Sequence, residues 1–580
     1  MKKILSIICA ALLTASCVDT VILPDNLTVE EDFWKTKGDV ESMVNGAYKS
    51  MLDANVMARL IVWGDFRSDE ILPNNSLSDG VATALNEINE ATVQSTNTFA
   101  DWSYFYVVIN NCNIVLEKAA KVMENDPSYT QSDYLSDCAQ VRALRALCYF
   151  YLVRAFRDVP YSEKAFMNSS QDLNIPQSSP AYVLQRCIDD LKQSVSHAPS
   201  SQGFTDVWRN RGNITVDAIN SILADIYLWR GSVNHDVADY DSCVAYCDKV
   251  IASKQQLNEY KPNASYVAPG YQLYYKMLYT GKEAFDNIFV GQNSDESIFE
   301  LQYDGTQNSN TSLCQYFFKY RNDASTYGYM KASPIFTGST VYENTSDYRY
   351  WQNTFDVTKS QNFYDIRKMT APGRWSINNP GSATAQTRLA QSVQQRTYTR
   401  FAQNYIIYRI SDIMLMKAEA LAEMTEDVED PRVEEAFLLA EAINTRSLYE
   451  GNITNYKKIA TYKQAGIEGI RNFIREERLR ELCFEGKRWY DLMRYNYRLI
   501  SGVDYNRILA DIGEQNIPMN SREMRQLVVR KRSEGQDVIM NKLRTEAHLY
   551  MPIPNGDIKV CPVLKQNPAY PDADKYEKNY

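Results

Sequence analysis

Apolar residues recur at helical spacing along most of this chain, and the first clear case follows an aromatic pair, Phe33 and Trp34. Within residues 31–52, Val40, Val44, Ala47, Tyr48 and Met51 share one helical face. The same spacing predicts helices over Trp102–Met123, Tyr134–Phe156, Ala181–Val195, Thr215–Trp229 and Tyr240–Ile251. Further on it predicts Asn404–Met424, Val433–Ser447 and a run from Arg471 to Asn496 that nothing breaks before Gly486. Val159-Pro160 stops the third pattern, because proline disfavours helix at the residue before it. Thr215–Trp229 and Tyr240–Ile251 flank a loop starting at Gly231 and read as an antiparallel hairpin, as do Asn404–Met424 and Val433–Ser447. Paired helices with short turns point to tetratricopeptide-like packing, although no strict 34-residue self-similarity is present.

Charges that intrude on these stripes are the next signal. Ile467, Ile470 and Ile474 define a core face that continues into Glu477, Glu481 and Glu485. Three stacked carboxylates repel unless cations neutralise them, so the stretch is either a catalytic cluster or one half of a structural ion network. Two basic residues sit where such partners belong. Arg145 lies at the edge of the Val141, Leu144, Cys148, Leu152 and Ala155 stripe, and Lys417 falls inside the stripe of Ile406, Ile410, Ile413, Ala420 and Leu421.

Between Ser253 and Gln403 the periodicity fades. That segment holds 16 of the 41 tyrosines, with Trp351 and Trp375, among Ser, Asn, Gly and Thr. It is too aromatic for disorder and reads as ordered loops with a few short strands inserted into a helical frame, the kind of place where binding resides. The proline-rich stretch from His548 to Tyr580 reads as an extended wrap over the helical core.

Composition narrows the function. A net charge of -10 and a pI near 5.2 argue against a nucleic-acid partner, which needs a basic face. Lys2 and Lys3, the apolar run Ile4 to Leu13 and the small residues Thr14, Ala15 and Ser16 before Cys17 have the order of an export signal, with Cys17 placed for lipidation. Of the 11 cysteines, nine lie beyond Cys17, with no repeated short spacing, and with three histidines in the chain no zinc site is expected. Cys243 and Cys247 share a helical face with Val244, Val250 and Ile251 and are expected to be buried.

Six segments, taken in order, resemble the SusD/RagB family of outer-membrane lipoproteins. They are FWKTKGDVESMVNGAYKSM, DWSYFYVVINNCN, RALRALCYFYLVRAFRDVPY, NYIIYRISDIMLMKAEALAE with INTRS, IREERLRELCFEGKRWYDLMRYN, and LYMPIPNGDI with LKQNPAY. The resemblance implies a mainly α fold with about four tetratricopeptide-like helix pairs and a large irregular subdomain. It implies a signal peptide over 1–16, a lipid anchor and tether over 17–30, a helical scaffold over 31–253, a ligand-side insertion over 254–403 and C-terminal helices with a wrap over 404–580. It also implies a cell-surface protein that binds oligosaccharides, with no cofactor, and passes them to a TonB-dependent (SusC-like) transporter. Some family members are thought to bind peptides instead. Scaffold status makes Glu477, Glu481 and Glu485 an ion network in this reading, with Arg145 as the first expected partner. A glycoside hydrolase using them is the competing possibility, since such enzymes need two carboxylates across a cleft.

A sugar ring offers an apolar face of C–H groups and a rim of hydroxyls, so its binder needs flat aromatics beside polar groups. Trp102 and Tyr104, at the start of a helix that the family uses on its ligand side, are the leading platforms, with burial as the competing role for Trp102. Asp69, in a loop resembling the family's ligand-side loop, is placed to receive hydroxyls or to cap. In the insertion Tyr327, Tyr329, Trp351 and Trp375 are further platforms, and Arg321 and Asn322 further rim groups.

Overall fold

A computed structural model of the chain describes residues 33–168, 170–257, 268–317, 328–336, 340–343, 346–356, 364–369, 401–449 and 455–570. Cys17, Arg321, Asn322, Tyr327 and Trp375 lie outside them.

The fold is mainly helical. The N-terminal part contains α1 (Lys37–Met51), α2 (Ala54–Ile61), α3 (Gly80–Asn89), α4 (Ser103–Asn125), α5 (Gln131–Phe156), α6 (Pro180–Ser194), α7 (Val216–Asn234) and α8 (Val237–Leu257). The C-terminal part adds α9 (Ile410–Glu423), α10 (Pro431–Arg446), α11 (Ile467–Leu482) and α12 (Arg488–Leu499). Successive helices pack as neighbours: α4 on α5, α5 on α6, α7 on α8, α8 on α9, α9 on α10, and α11 against both α9 and α10. This is a tetratricopeptide-like array sharing one hydrophobic core.

Local chemistry sets the helix ends. α5 opens on a capping box in which the Asp133 N–H donates to Thr130 Oγ1 and the Thr130 N–H donates back to Asp133. It closes at Arg157, at φ 67°, just ahead of the short strand Val159–Pro160, which pairs antiparallel with Gln177–Ser178. From Ala143 to Phe156 every residue of α5 is buried, and apart from Arg145 and Arg154, both held in ion pairs, the stretch is small, apolar or aromatic all round.

The structure revises three boundaries. Residues Tyr405–Arg409 form a strand rather than the first turn of a helix, paired antiparallel with Ser297–Leu301 and buried at every position. YIIYR is rich in β-branched and aromatic residues, and burial of both faces hides the two-residue alternation that would have announced a strand. α7 runs through Gly231 to Asn234 and ends only at His235 in the left-handed conformation. The long run from Arg471 breaks at Cys483, ahead of Gly486, because the Phe484 backbone turns to φ 64°.

The described parts of the 254–403 segment contain short helices and strands. One strand, Met330–Ala332, pairs with Ile71–Pro73 near the N-terminus, so this segment and the scaffold are joined by backbone pairing. Among the described residues no helix is long and apolar enough to cross a membrane.

Candidate functional site

Glu477 and Glu481 of α11, with Glu485 just beyond its end, are the most enzyme-like feature of the sequence. The side chains of Glu477, Glu481 and Glu485 are at most 3% exposed. Arg349 reaches Glu477 at 2.7 Å and Glu481 at 2.9 Å. Arg409 lies 2.5 Å from Glu481 and 2.8 Å from Glu485, and Lys368 lies 2.6 Å from Glu485. Arg446 bridges Glu481 to Glu296, the second contact at 2.8 Å. Burial pushes the Glu481 carboxyl up, but Arg446, Arg409 and Arg349 more than reverse it and hold it well below the usual carboxylate range. A carboxylate held this way has no proton to give, and the void beside it is about 20 Å³, space for about one water. The expected contact with arginines of other segments is present, but the expected partners are not. Arg145 pairs with Asp190 at 2.6 Å, and Lys417 with Asp248 at 2.6 Å and Glu435 at 2.5 Å. Arg349 and Arg409 escaped sequence reasoning because Arg349 lies in a helix of five residues, too short to show a period, and Arg409 ends the strand Tyr405–Arg409 that the spacing reads as helix.

The π-helical turn Val62–Phe66, which continues α2, and the residues after it close over the start of α12. Gly64 touches Gly486 so closely that a Cβ on Gly64 would sit 2.3 Å from the Gly486 carbonyl oxygen. Asp65 accepts from the N–H groups of Gly486 at 2.7 Å and Lys487 at 3.0 Å and so caps α12. Its carboxyl is pushed up to about 7, mainly by burial. Glu70 accepts from the Phe484 N–H at 3.1 Å, which helps hold that residue in its left-handed conformation. Asp69 has no exposed surface. Arg488 donates to both its oxygens, at 2.9 and 3.1 Å, and Arg530 adds a third bond at 2.6 Å. Burial raises the Asp69 carboxyl, yet these two guanidiniums hold it well below the usual range. The residue read as a receiver of hydroxyls is a buried ion-pair partner instead.

The aromatic residues separate into two groups. Trp102 is 4% exposed. It packs on Phe156 with ring centroids 5.0 Å apart, and its Nε1–H donates to Asp557 at 2.7 Å. It therefore fastens the C-terminal segment to α4, and the packing role is the observed one. Trp351 is also buried, edge-on to Tyr350 at 4.9 Å, in a short helix that carries Arg349 into the ion network.

Tyr104 and Tyr329 belong together. Tyr104 is partly exposed, with the Arg59 guanidinium 4.5 Å from its ring centre. Arg59 is itself fixed, donating to the backbone oxygens of Asp101 at 2.5 Å, Thr98 at 2.6 Å and Asn55 at 3.0 Å. Burial lowers its guanidinium, with Asp101, Tyr104 and Tyr316 acting in the opposite sense. Tyr316 lies 5.8 Å from Tyr329, whose hydroxyl donates to Asp79 at 2.5 Å. Arg59, Tyr316 and Tyr329 are buried, so Tyr329 is not an open platform, and of these rings only Tyr104, resting on Arg59, is partly open. Arg59 had a readable signal, an arginine inside the apolar run ANVMARLI of α2. Tyr316 had none that distinguished it from its neighbours.

Among the described residues no cluster of His, Cys, Asp and Glu could hold a metal ion, and Cys243 and Cys247 are buried as expected.

Comparison with known proteins agrees with this architecture. The family model described as the SusD family matches residues 330–570, and a second, described as starch-binding associating with outer membrane, matches residues 24–228. The SusD-like protein P38 of Formosa agariphila is 23% identical over 544 residues, 85% of this chain and 94% of that protein. The SusD-like protein P2 of the same organism is 25% identical over 521 residues, covering 85% and 91%. A SusD superfamily protein from Bacteroides thetaiotaomicron superposes with a TM-score of 0.65 at 18% identity, covering 92% of this chain and all of that one. A laminarin-binding SusD-like protein superposes with a TM-score of 0.61 at 18% identity, covering 93% and 100%. Matches at both ends of the chain, in the order expected, and a shared helical fold leave one conclusion: the chain belongs to the SusD/RagB family.

Proposed function

We propose that this protein captures oligosaccharides at the cell surface, without cleaving them, and passes them to a TonB-dependent outer-membrane transporter. Lipidation at Cys17 anchors it, residues 17–30 form the tether, and the 254–403 segment faces the ligand. The outer-membrane, starch-binding description of one matching family model and the laminarin-binding structural neighbour support this reading. The observation that carries it is the partly exposed Tyr104 ring, held flat by an arginine that is locked to three backbone carbonyls. Such a ring is preorganised to receive the C–H face of a sugar with little ordering cost.

The test is isothermal titration of neutral oligosaccharides into the protein and its Tyr104→Ala variant. Loss of one stacked ring is expected to weaken binding about tenfold, or ~1.4 kcal/mol. Equal affinity in the variant would remove Tyr104 from the site. For the anchor, Cys17→Ser is expected to move the protein from the membrane to the soluble fraction.

A further inference from the structure

A half-open cleft of about 1110 Å³ has a lining that includes none of Tyr104, Arg59, Tyr316 and Tyr329. It is lined by α1, the start of α5, the 204–213 turn and the 291–308 segment. Its volume is at or above the upper end of ordinary small-molecule sites, roughly 300–1,000 Å³, which leaves space for several linked rings.

The lining is aromatic and amide-rich. Trp208 is 51% exposed, an unusual position for the largest apolar side chain. It is not on a loose loop, because the Asn210 side chain accepts from the Phe204 N–H at 3.0 Å and donates to the Phe204 carbonyl at 2.8 Å. Arg209 stacks on the Phe204 ring at 4.3 Å. Among the described residues the Trp208 indole N–H has no hydrogen-bond partner, so the ring offers an apolar face and a free donor.

The other polar groups are already fixed in place. Tyr48 donates to Gln140 at 3.0 Å and accepts from the Ile214 N–H at 2.9 Å, while Asn213 donates to the same Gln140 oxygen at 3.2 Å. Across the 291–308 segment Gln302 donates to Asn293 at 2.8 Å and accepts from Asn404 at 3.0 Å. The 204–213 turn and this segment are in direct contact, since a Cβ on Gly212 would lie 2.5 Å from Gln302 Cγ.

Charge selects among ligands. Five acids, Glu41, Asp133, Asp137, Asp206 and Asp304, line the cleft against two bases, Lys49 and Arg209. Anionic chains are repelled by that balance. Four of the acids already have partners in the chain: Asp133 pairs with Lys37 at 3.1 Å and Glu41 with the same lysine at 3.9 Å, Asp137 accepts from Tyr129 at 3.0 Å, and Asp304 accepts from the N–H of Gln307 at 2.7 Å. What remains for contact is mostly indole and amide, which suits hydroxyls better than ammonium groups.

We infer that this cleft is a second carbohydrate site, taking an uncharged oligosaccharide stacked on Trp208. The inference rests on the reading of the chain as a glycan binder. A protein with two sites can hold one long chain at two points, which raises overall affinity with no new contact at either.

The test is calorimetry on the full-length chain in detergent, with Trp208→Ala, Trp208→Phe and Tyr104→Ala beside it. The probes are neutral α-glucan, β-glucan, xylan and mannan hexasaccharides, an oligogalacturonate and a pentalysine peptide. We expect Trp208→Ala to weaken binding of a neutral hexasaccharide at least tenfold, Trp208→Phe to keep most of it, and Tyr104→Ala to leave a binding event that Trp208→Ala removes. The oligogalacturonate is expected to bind at least tenfold more weakly than the best-bound neutral hexasaccharide. Unchanged neutral affinity in Trp208→Ala, with loss in Tyr104→Ala, overturns the second site and leaves the glycan reading standing. Binding of oligogalacturonate or pentalysine in preference to every neutral sugar overturns the ligand class. If the unaltered chain binds none of the sugars, the cleft and the glycan reading fall together.

Discussion

Replacing Glu481 by glutamine isolates the part of the molecule that most resembles an active site. Among the described residues the cluster around it contains five cations, Arg349, Lys368, Arg409, Arg446 and Arg480, and five anions, Glu296, Asp347, Glu477, Glu481 and Glu485. It is neutral as a whole and buried. Glutamine keeps the shape but leaves one positive charge uncompensated and turns an N–H₂ toward guanidinium donors. Breaking a buried network from one side costs about 3–5 kcal/mol, because the partner charges stay buried. With an unfolding entropy of about 2.1 cal/mol/K per residue over roughly 550 residues, the melting temperature should fall by about 2.5–4 °C. Scanning calorimetry measures this directly. A double variant, Glu481→Gln with Arg349→Gln, restores charge balance and is expected to recover part of the loss. A reducing-sugar assay run alongside should show no turnover in either protein. An unchanged melting temperature would refute the network account, and turnover present in the parent but lost in Glu481→Gln would return these residues to catalysis.

Two further outcomes follow from the same structure. The Asp65 carboxyl is held up to about 7 against 3.8 when unfolded, so between about pH 4 and 7 the native chain binds the extra proton and stability falls as pH rises; Asp65→Asn should flatten that slope in urea unfolding at pH 4.5, 5.5, 6.5 and 7.5, and an identical slope would contradict it. Trp102→Phe should lose the bond to Asp557, lowering stability by about 1 kcal/mol in urea unfolding while leaving glycan affinity within twofold; a larger affinity loss would restore Trp102 as a ligand platform.

The scaffold was legible because each helix buries a stripe, and a stripe is visible at 3.6-residue spacing whatever it packs against. Val40, Val44, Ala47 and Met51 were placed on one face by spacing alone, and all four are buried. The strand Tyr405–Arg409 was not legible, since burial on both faces erases alternation. The break at Phe484 was hidden for a different reason. Phenylalanine does not announce a left-handed turn, and the conformation depends on Glu70, more than 400 residues away in sequence. The same limit applies to the candidate site. That Glu477, Glu481 and Glu485 needed arginines followed from electrostatics, but the arginines that answer them sit on a five-residue helix, a buried strand and the end of α10, far apart in sequence, and only tertiary packing brings them together. Trp102 and Tyr104 are two residues apart and share a composition, yet one faces Phe156 and the other Arg59. Only the packing of α4 against its neighbours separates a buried ring from an open one.

The central claim is capture of sugar without chemistry, and the most direct measurement is calorimetric titration followed by recovery of the ligand. Neutral oligosaccharides should bind the parent chain saturably, bind Tyr104→Ala about tenfold more weakly, and be recovered at their original length after prolonged incubation. Shortened chains, or no saturable binding of any neutral glycan, would contradict the account.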